Sequence, residues 1–328
     1  MLYMNNTKIK TYHTDQISDD LWNSYLNNFN HVFEKKFDLK HFLNKYNSHT
    51  KTSYHSFLIA NETDVVGAVS IIPMEYNIGG VRKNVGLVVD LFVLSEFRND
   101  PLVILKLYLE LKKLIKKSEI SIIVAVPNIN SVSYFTNILK FKNIGNLNYW
   151  IFTVNVGNIK FNKNKLINYL SNLISQINLA LNYPLSILVN SSRNKLKISL
   201  DLNSNFIKNR FTGPYKIYNK NNYLIYYRID IEDGVNIAYL IYFKYRNKTN
   251  YISLWHAVNF IKKNEEIDLI LYVGPLPFFQ LLLYKVPRFL EPKKLPFVYE
   301  NLNFASNQID IINDFKNWDF GLINYDVK

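Results

Sequence analysis

One carboxylate interrupts an otherwise apolar stretch of the sequence, and it is the residue best suited to chemistry. Asp90 lies inside the run Val88–Phe92. A carboxylate in such surroundings is costly to bury unless it is paired or opens into a cleft. In a cleft, Asp90 could act as a general base or anchor an amine substrate. Otherwise it points outward or forms a structural ion pair with Arg98 or a lysine.

Four other side chains offer chemistry that would complement such a base. The Tyr134 hydroxyl could donate a proton as a general acid, or it could end at the rim of the core. Arg98 could hold a phosphate through two hydrogen bonds, or it could be a solvated cap. His55 and Glu75 lie on or beside a predicted hairpin, where they could line a pocket for a second substrate.

Composition excludes several classes of site. The chain of 328 residues has no cysteine, so disulfides, zinc–thiolate sites and a cysteine nucleophile are ruled out. Its six histidines include no i, i+4 pair, and no metal site is predicted. The net charge of +13 could attract phosphate-bearing molecules, tRNA or anionic lipid, or it could reflect the compositional bias of an AT-rich genome. No convincing membrane span is visible, and a cytoplasmic protein is expected.

The first half of the chain predicts the elements that would position these residues. Apolar spacing predicts helices over residues 19–33 and 38–46, and then a hairpin formed by residues 56–61 and 65–76. A long strand over 85–94 carries Asp90, and a helix from Pro101 to about residue 117 follows it. A buried strand over 120–126, a helix over 128–139 and a strand over 149–156 complete this half.

The second half predicts a weaker version of the same order. A helix over 165–181 precedes strands at 185–189, 224–229 and 237–243. A helix over 252–263, a strand over 269–273, a helix over 278–285 and a strand over 320–325 follow. We therefore predict a first domain over 1–157, a linker helix over 158–184 and a second domain over 185–328.

Three stretches between Val65 and Val154 resemble the GCN5-related N-acetyltransferase (GNAT) superfamily in order and spacing. They are Val66–Val69, Leu91–Arg98, and Val126–Ser131 followed by Tyr134–Phe135 and Leu139–Phe141. The second stretch is similar to the family's strand and phosphate loop, and the third to its next strand and helix. The resemblance implies an α/β fold with two tandem GNAT-like acyltransferase domains, each a mixed, mostly antiparallel sheet flanked by helices.

The same resemblance implies roles for individual residues. Asp90 and Tyr134 would be catalytic, and His55 and Glu75 would bind the acceptor. The donor would be acetyl-CoA or another acyl-CoA, and no metal would be needed. Its implied binding residues are Phe92, Val93, Leu94, Arg98, Asn99, Leu102, Asn128 and Asn130. Asn128 could instead cap the helix that follows it.

The loop after the long strand departs from the family's glycine-rich pattern. Arg98 is followed by Asn99-Asp100-Pro101-Leu102. Pro101 has no N–H to offer a phosphate, and Asp100 adds a negative charge where the phosphate would lie. Either the donor site is altered, or this half is partly vestigial.

The second half is similar to a degraded copy of the fold, and its residues 317–327 resemble the last strand of two-domain acyltransferases from bacterial surface-polysaccharide loci. This similarity implies an acyl-CoA-dependent N- or O-acyltransferase acting on an amino sugar or nucleotide-sugar. A Fem-like transferase that uses aminoacyl-tRNA is one alternative. A non-catalytic binding protein on the same fold is the other.

Overall fold

The computed structural model describes residues 7–47, 52–160, 163–189, 196–202, 204–210, 214–246, 248–304 and 309–325. The chain folds into two compact units. Unit 1 consists of Met1–Gly145, Ile198–Thr212 and Leu295–Phe315, and unit 2 of Asn146–Lys197, Gly213–Lys294 and Lys316–Lys328. No helix in the described ranges is long and apolar enough to cross a membrane.

The described chain contains both strands and helices. The strands are β1 (Lys8–His13), β2 (Tyr54–Ala60), β3 (Asp64–Ile78), β4 (Val81–Val93), β5 (Ile120–Ala125), β6 (Lys142–Asn146), β7 (Tyr149–Thr153), β8 (Ile198–Leu200), β9 (Tyr215–Lys220), β10 (Tyr223–Glu232), β11 (Val235–Tyr245), β12 (Leu269–Val273), β13 (Tyr284–Lys285), β14 (Pro296–Asn301) and β15 (Trp318–Asp319). The α-helices are α1 (Asp19–Phe33), α2 (Leu39–Tyr46), α3 (Val103–Ile115), α4 (Val156–Lys160), α5 (Lys165–Leu188), α6 (Ser204–Arg210), α7 (Tyr251–Asn264) and α8 (Ile309–Asn313).

Unit 1 is a mixed sheet with helices on both faces. Its strand order is β1-β2-β3-β4-β5-β14-β6. Strands β1 to β4 pair antiparallel, β4 and β5 pair parallel, and β14 is antiparallel to β5. Leu58 packs in one core with α3, whereas the neighbouring Phe57 stacks on Tyr25 of α1. Because neighbouring strand residues point to opposite faces, α3 and α1 cover opposite sides of this sheet.

Unit 2 is a second mixed sheet, and helices α5 and α7 pack against it in one core. Its strand order is β13-β7-β12-β11-β10-β9, with β11 and β12 parallel. Helix α7 begins at a capping box in which the Asn250 side chain accepts from Ser253 N and Ser253 Oγ accepts from Asn250 N. Its buried face, which includes Leu254, Val258 and Ile261, fills the core of the unit.

The sheet of unit 1 includes β14 from the second half of the chain, and the sheet of unit 2 includes β7 from the first half. In unit 1, β14 lies between β5 and β6, and in unit 2, β7 holds the equivalent place between β12 and β13. Glu300 of β14 accepts hydrogen bonds from Tyr108 and Lys112 of α3. Trp150 of β7 donates from Nε1 to Gly274 O at 3.0 Å. The two strands are therefore reciprocally exchanged between the units.

This exchange is why the observed units differ from the predicted boundaries at residues 157 and 184. Strand β7, predicted for the first domain, pairs with β12 of unit 2. Helix α5, predicted as a linker, packs on α7, and Trp255 donates to Leu179 O at 2.8 Å. A short apolar strand carries no local signal for the sheet that it will join.

Four predicted elements have a different form in the structure. Residues 185–189 were predicted as a strand, but α5 continues through Pro184 to Leu188, because Leu185 packs against the core of unit 2. Residues 278–285 were predicted as a helix, but the backbone N–H of Leu281 donates to Tyr251 Oη and that of Leu283 to Gln280 Oε1. Neither N–H group is therefore available for an i to i−4 helical hydrogen bond, and the segment is a loop that ends in β13.

The other two differences lie at polar turns. Residues 320–325 form turns after β15, since Asn324 Oδ1 accepts from Gly321 N at 2.8 Å, and residues 326 and 327 fall outside the described ranges. Within 128–139, a π-helical turn spans Tyr134–Ile138 instead of a full α-helix. Elsewhere the predicted helices and strands agree with the structure to within a few residues.

Candidate functional site

A β-bulge places Asp90 at an opening in the sheet of unit 1. Ala68 pairs with Phe92 and Ser70 with Val89, so that Val69 faces two residues, Asp90 and Leu91. Asp90 has φ 55°, a left-handed conformation that aspartate tolerates better than most side chains. Such a bulge leaves backbone groups outside the ladder and redirects a side chain.

The opening forms because β4 extends beyond its last pair with the parallel strand β5. The register of β4 and β5 runs from Asn84 and Ile120 to Leu87 and Val124, and β4 then continues to Val93. The bulge therefore lies where the two strands are no longer paired. The loops that follow β4 and β5 leave the sheet at the same edge, since the strands are parallel.

The Asp90 carboxylate is held by two residues at the end of α2. Lys45 Nζ lies 2.7 Å from Oδ1 and 2.9 Å from Oδ2, and Tyr46 donates to Oδ2 at 2.5 Å. The Tyr46 hydroxyl is also 2.7 Å from that of Tyr25. Burial, followed by the charge of Asp90, raises the pKa of both phenols well above 10. Both tyrosines therefore remain protonated, and they fix the orientation of the carboxylate.

His55 lies directly behind this cluster. Its ring is 4.5 Å from the ring of Tyr46, and its nitrogens contact Thr14 Oγ1 at 2.9 Å and Ser70 Oγ at 2.8 Å. Burial, with a smaller contribution from His13, lowers the pKa of His55 to about 3. The imidazole is fully buried and neutral, which suits a supporting position better than direct contact with an acceptor.

The loop after β4 forms internal hydrogen bonds at the position predicted for the phosphate. Arg98 Nε donates to Val93 O at 2.6 Å. Asp100 Oδ1 accepts from Leu102 N at 2.8 Å and Oδ2 from Lys106 Nζ at 2.6 Å. Lys106, followed by the backbone of Leu102, lowers the pKa of Asp100. An internal carboxylate therefore occupies the N-terminal end of α3, where an anion would be favoured.

The loop after β5 presents its side chains to solvent. Asn128 Oδ1 accepts from Asn130 N at 3.0 Å and Ser131 N at 2.9 Å, which is the capping interaction considered as its alternative role. Tyr134 is 37% exposed, while the next residue, Phe135, is buried against Phe141. The hydroxyl-bearing residue of this pair is thus the one that a bound substrate can reach.

The remaining predicted residues are divided between backbone and core. Phe92 packs among the rings of α1, and Val93 belongs to the core beside α3. Leu94 N donates to Val66 O at 2.8 Å. Asn99 Nδ2 contacts Glu96 O at 3.4 Å.

Leu102 and Glu75 lie further from the bulge along their elements. Leu102 is exposed at the start of α3. Glu75 lies on β3 opposite Asn84, and its carbonyl accepts from Asp201 N at 2.8 Å. Of the predicted residues, Asp90 and His55 lie in one cluster, because both contact Tyr46.

Three residues of the cluster were missed by the sequence analysis. Tyr25 and Tyr46 were assigned to the apolar faces of their helices, and Lys45 was not singled out. One signal in the sequence was available: an unpaired carboxylate in an apolar strand is costly, so Asp90 was expected to need a partner such as a lysine. No local pattern identifies which lysine, because Lys45 and Asp90 are 45 residues apart.

Comparisons with known proteins bear on the fold. No family model matches the chain, and no curated protein matches it. A probable N-acyltransferase from Enterococcus faecalis V583 aligns over 90% of this chain and 73% of its own, with 12% identity and a TM-score of 0.55. A GCN5-related N-acetyltransferase from Anabaena variabilis aligns over the same shares with 13% identity and a TM-score of 0.55.

A eukaryotic enzyme shows the same likeness. N-myristoyltransferase from Saccharomyces cerevisiae, solved with bound myristoyl-CoA, aligns over 91% of this chain and 79% of its own, with 10% identity and a TM-score of 0.55. Together these structures confirm the predicted fold class of two GNAT-like domains. Identities this low show the fold, and the chemistry has to be argued from the site.

Proposed function

We propose that unit 1 transfers an acyl group from an acyl-CoA thioester to an amine or hydroxyl. The observation that carries this proposal is the bulged Asp90 at the point where β4 and β5 part. A carboxylate, unpaired backbone groups and a gap between parallel strands are then available together. The structural neighbours named above, acetyltransferases and a myristoyltransferase, support the same reaction class.

The chemistry needs one proton acceptor and one proton donor. Asp90 takes a proton from the acceptor as its nitrogen or oxygen attacks the thioester carbonyl. Backbone N–H groups freed by the bulge stabilise the oxyanion of the tetrahedral intermediate. The carbon–sulfur bond then breaks, and the Tyr134 hydroxyl gives its proton to the CoA thiolate.

Lys45 and Tyr46 act as positioning residues in this scheme. They bind the carboxylate from the α2 side and leave acceptor capacity on Oδ1, whose only partner among the described residues is Lys45. A substrate amine can use this remaining capacity. His55, behind Tyr46, holds the phenol ring in place through its own bonds to Thr14 and Ser70.

The donor would bind across the loops that follow β4 and β5. We propose that Arg98, Asn99, Leu102, Asn128 and Asn130 line this site, beside Phe92, Val93 and Leu94 of the strand. The CoA pyrophosphate must displace Asp100 from Leu102 N before it can use the N-terminal end of α3. Donor affinity should therefore be modest.

For the acceptor, we propose an amino sugar or nucleotide-sugar used in surface-polysaccharide synthesis in the cytoplasm. This choice rests on the family resemblance of the C-terminal residues and on Glu75 at the far end of the hairpin. A Fem-like reaction with aminoacyl-tRNA would use the positive charge of the chain for phosphate contacts, and its binding would weaken steeply with salt.

A non-catalytic role is favoured by one observation, the capping of α3 by Asp100. If that carboxylate is never displaced, the fold binds partners without using acyl-CoA. The binding experiment below separates this candidate from the enzyme.

Calorimetry with acetyl-CoA tests the donor site, using the wild type, Asp100→Asn and the control Asp15→Asn. We expect micromolar binding by the wild type, and binding about fivefold tighter by Asp100→Asn, because the competing charge is gone and Lys106 is released. Asp15→Asn removes an exposed charge outside the loop and should leave affinity unchanged.

A turnover assay follows binding. The protein has no cysteine, so a thiol reagent reports only the CoA released. Acetyl- and longer acyl-CoA donors are combined with amino sugars, nucleotide-sugars and simple amines. If wild type and Asp100→Asn both fail to bind at millimolar donor and no thiol appears with any pair, the enzyme proposal is wrong; salt-sensitive tRNA binding would then favour the Fem-like alternative.

A further inference from the structure

Helix α5 of unit 2 is inverted relative to an ordinary surface helix. Its buried residues are Ser175, Leu179, Asn182 and Ser186, three of them polar. Its apolar residues face outward instead. A surface helix normally buries its apolar stripe and exposes its polar one. The exposed apolar face therefore calls for an explanation outside the fold of unit 2.

Hydrogen bonds attach the polar face of α5 to the rest of the unit. Asn182 accepts from the hydroxyl of Tyr251. Ser171 Oγ donates to Val154 O at 2.8 Å, and Lys262 Nζ donates to Asn172 Oδ1 at 3.0 Å. Since these bonds run along the length of the helix, they fix which face points to solvent.

The outward face is continuous over six helical turns. Its exposed side chains are Leu166, Tyr169, Leu170, Leu173, Ile174, Ile177, Leu181, Ile187 and Leu188. Up to Leu181 they recur at intervals of three and four residues, and Ile187 and Leu188 return to the same side of the helix six and seven residues later, so that all of them lie in one stripe. Lys165 is the one charged residue of α5, at its first position.

A second apolar segment lies beside this stripe. Asn178 Nδ2 of α5 is 3.3 Å from Leu282 O and 3.4 Å from Tyr284 Oη. The segment exposes Phe279, Leu281, Tyr284, Phe289 and Leu290. Phe289 is 85% exposed. We name the stripe and this segment together the apolar face of unit 2.

The sequence around the apolar face is strongly basic. From Asn146 to Lys197 it has six basic residues and no Asp or Glu: Lys160, Lys163, Lys165, Arg193, Lys195 and Lys197, of which Arg193 and Lys195 lie outside the described residues. From Phe279 to Lys294 it has four basic residues and one acid: Lys285, Arg288, Lys293, Lys294 and Glu291. Among the described residues of these two segments, eight positive charges therefore accompany a single negative one.

We propose that the apolar face of unit 2 lies on the surface of an anionic lipid bilayer, with α5 parallel to the membrane plane. Exposed aliphatic and aromatic side chains enter the headgroup boundary, and the lysines and arginines around them attract anionic lipid. The buried polar face of α5 remains bonded to unit 2, so the helix lies on the membrane without spanning it.

Charge favours this occupant over a second copy of the chain. Two copies joined through this face would bring their basic residues together, and juxtaposed like charges oppose association. An anionic bilayer supplies the opposite charge and accepts the apolar side chains at the same time. The inference does not depend on acyl transfer, because it concerns unit 2 and is tested by binding alone.

Vesicle co-sedimentation of the full chain tests the proposal. We expect binding to vesicles of phosphatidylcholine with 30% phosphatidylglycerol to exceed binding to pure phosphatidylcholine by about tenfold or more at low salt, and to weaken at high salt. The double variant Ile174→Gln/Ile177→Gln should lose about tenfold in partitioning. Lys285→Gln should lose about fivefold on anionic vesicles and little on neutral ones.

Two controls make the result decisive. Ile231→Gln removes an isoleucine that is more exposed than Ile174 or Ile177, from the β10–β11 hairpin, and should bind like the wild type. Circular dichroism and thermal unfolding should be unchanged in every variant, because the replaced side chains are exposed. Equal binding to both vesicle types, or equal loss in Ile231→Gln, would overturn the proposal. The proposal would also be overturned if the wild type did not bind vesicles and instead formed a dimer without lipid, measured by light scattering, that the double variant Ile174→Gln/Ile177→Gln dissociates.

Discussion

Both units contain a β-bulge beyond the last pair of two parallel strands, but the side chains at the two bulges differ. In unit 1, β4 bulges at Asp90 and Leu91 and then parts from β5. In unit 2, β11 bulges at Ile241, between pairs that join Tyr226 to Tyr242 and Tyr227 to Leu240, and its register with β12 ends at Tyr239 and Leu271. The backbone therefore repeats, whereas the chemistry does not.

The two bulges differ in the side chains that they carry. Asp90 is ion-paired with Lys45 and bonded to Tyr46 in an opening of the sheet. Ile241 is 5% exposed and has no ionisable group. A bulge without a carboxylate cannot take a proton from a substrate. Unit 2 instead carries the inverted helix α5, whose polar residues bind the unit and whose apolar residues face outward.

The largest expected effect is on turnover at the two bulges. Asp90→Asn should lower kcat for CoA release by about 10²-fold or more, because the amide cannot accept the acceptor's proton. Asparagine tolerates a φ of 55° and is nearly isosteric, so the bulge itself is retained. Ile241→Val, the matched change in unit 2, should leave kcat within about twofold. Equal losses in both variants would show that the chemistry is not confined to unit 1.

The next effect concerns stability and contrasts a buried with an exposed ion pair. Lys45→Met leaves the Asp90 carboxylate, 7% exposed, without its cation and should lower the free energy of unfolding by about 2–3 kcal/mol. The double variant Lys45→Met/Asp90→Asn should regain about half of that loss, since no charge is then left unpaired.

The exposed pair of unit 2 provides the comparison. Lys216 is 51% exposed and lies 2.7 Å from Glu265, and Lys216→Met should cost at most about 0.5 kcal/mol. Urea unfolding measures these three variants and the single variant Asp90→Asn, which completes the cycle. Strictly additive losses at Lys45 and Asp90 would mean that the two residues do not interact in solution as their 2.7 Å contact indicates.

The sequence predicted the parts of the fold that depend on local patterns. Helix α1 and strands β3 and β4 follow from the periodicity of their apolar residues. The carboxylate in β4 could be identified because its neighbours are apolar and its burial demands compensation. The family motifs added the loop after β4 and the strand and helix that follow. Each of these features is encoded within about fifteen consecutive residues, so that a local pattern is enough to predict it.

The sequence could not predict what depends on distant segments. Lys45 reaches Asp90 only when α2 is folded against the bulge. Strands β7 and β14 are short apolar runs that would fit either sheet, and their exchange is decided by the completed units. Helix α5 was predicted only to residue 181, since Pro184 and the run Leu185–Val189 resemble a strand, and its inversion is visible only when burial is known.

The smallest effect is on pH dependence, and it has opposite signs in the two units. Burial lowers the pKa of His55 in unit 1 from 6.5 to about 3. Between these values the unfolded state binds more protons than the folded state, so this group's contribution to stability is lost as pH falls from about 6.5. Burial raises the pKa of Asp319 in unit 2 from 3.8 to about 6. Here the folded state binds more protons, so stability is lost as pH rises from about 4 to about 6.

The variants His55→Gln and Asp319→Asn separate these two contributions. Unfolding free energies are measured from pH 4.5 to 7, and each variant is compared with the wild type at every pH. The stability of wild type relative to His55→Gln should rise with pH, and its stability relative to Asp319→Asn should fall, each by on the order of 1 kcal/mol per pH unit within its window. Because the windows overlap, the wild type alone would show little net slope near pH 5. Slopes of the same sign in both comparisons would contradict a neutral imidazole at His55 in unit 1 or a desolvated carboxyl at Asp319 in unit 2.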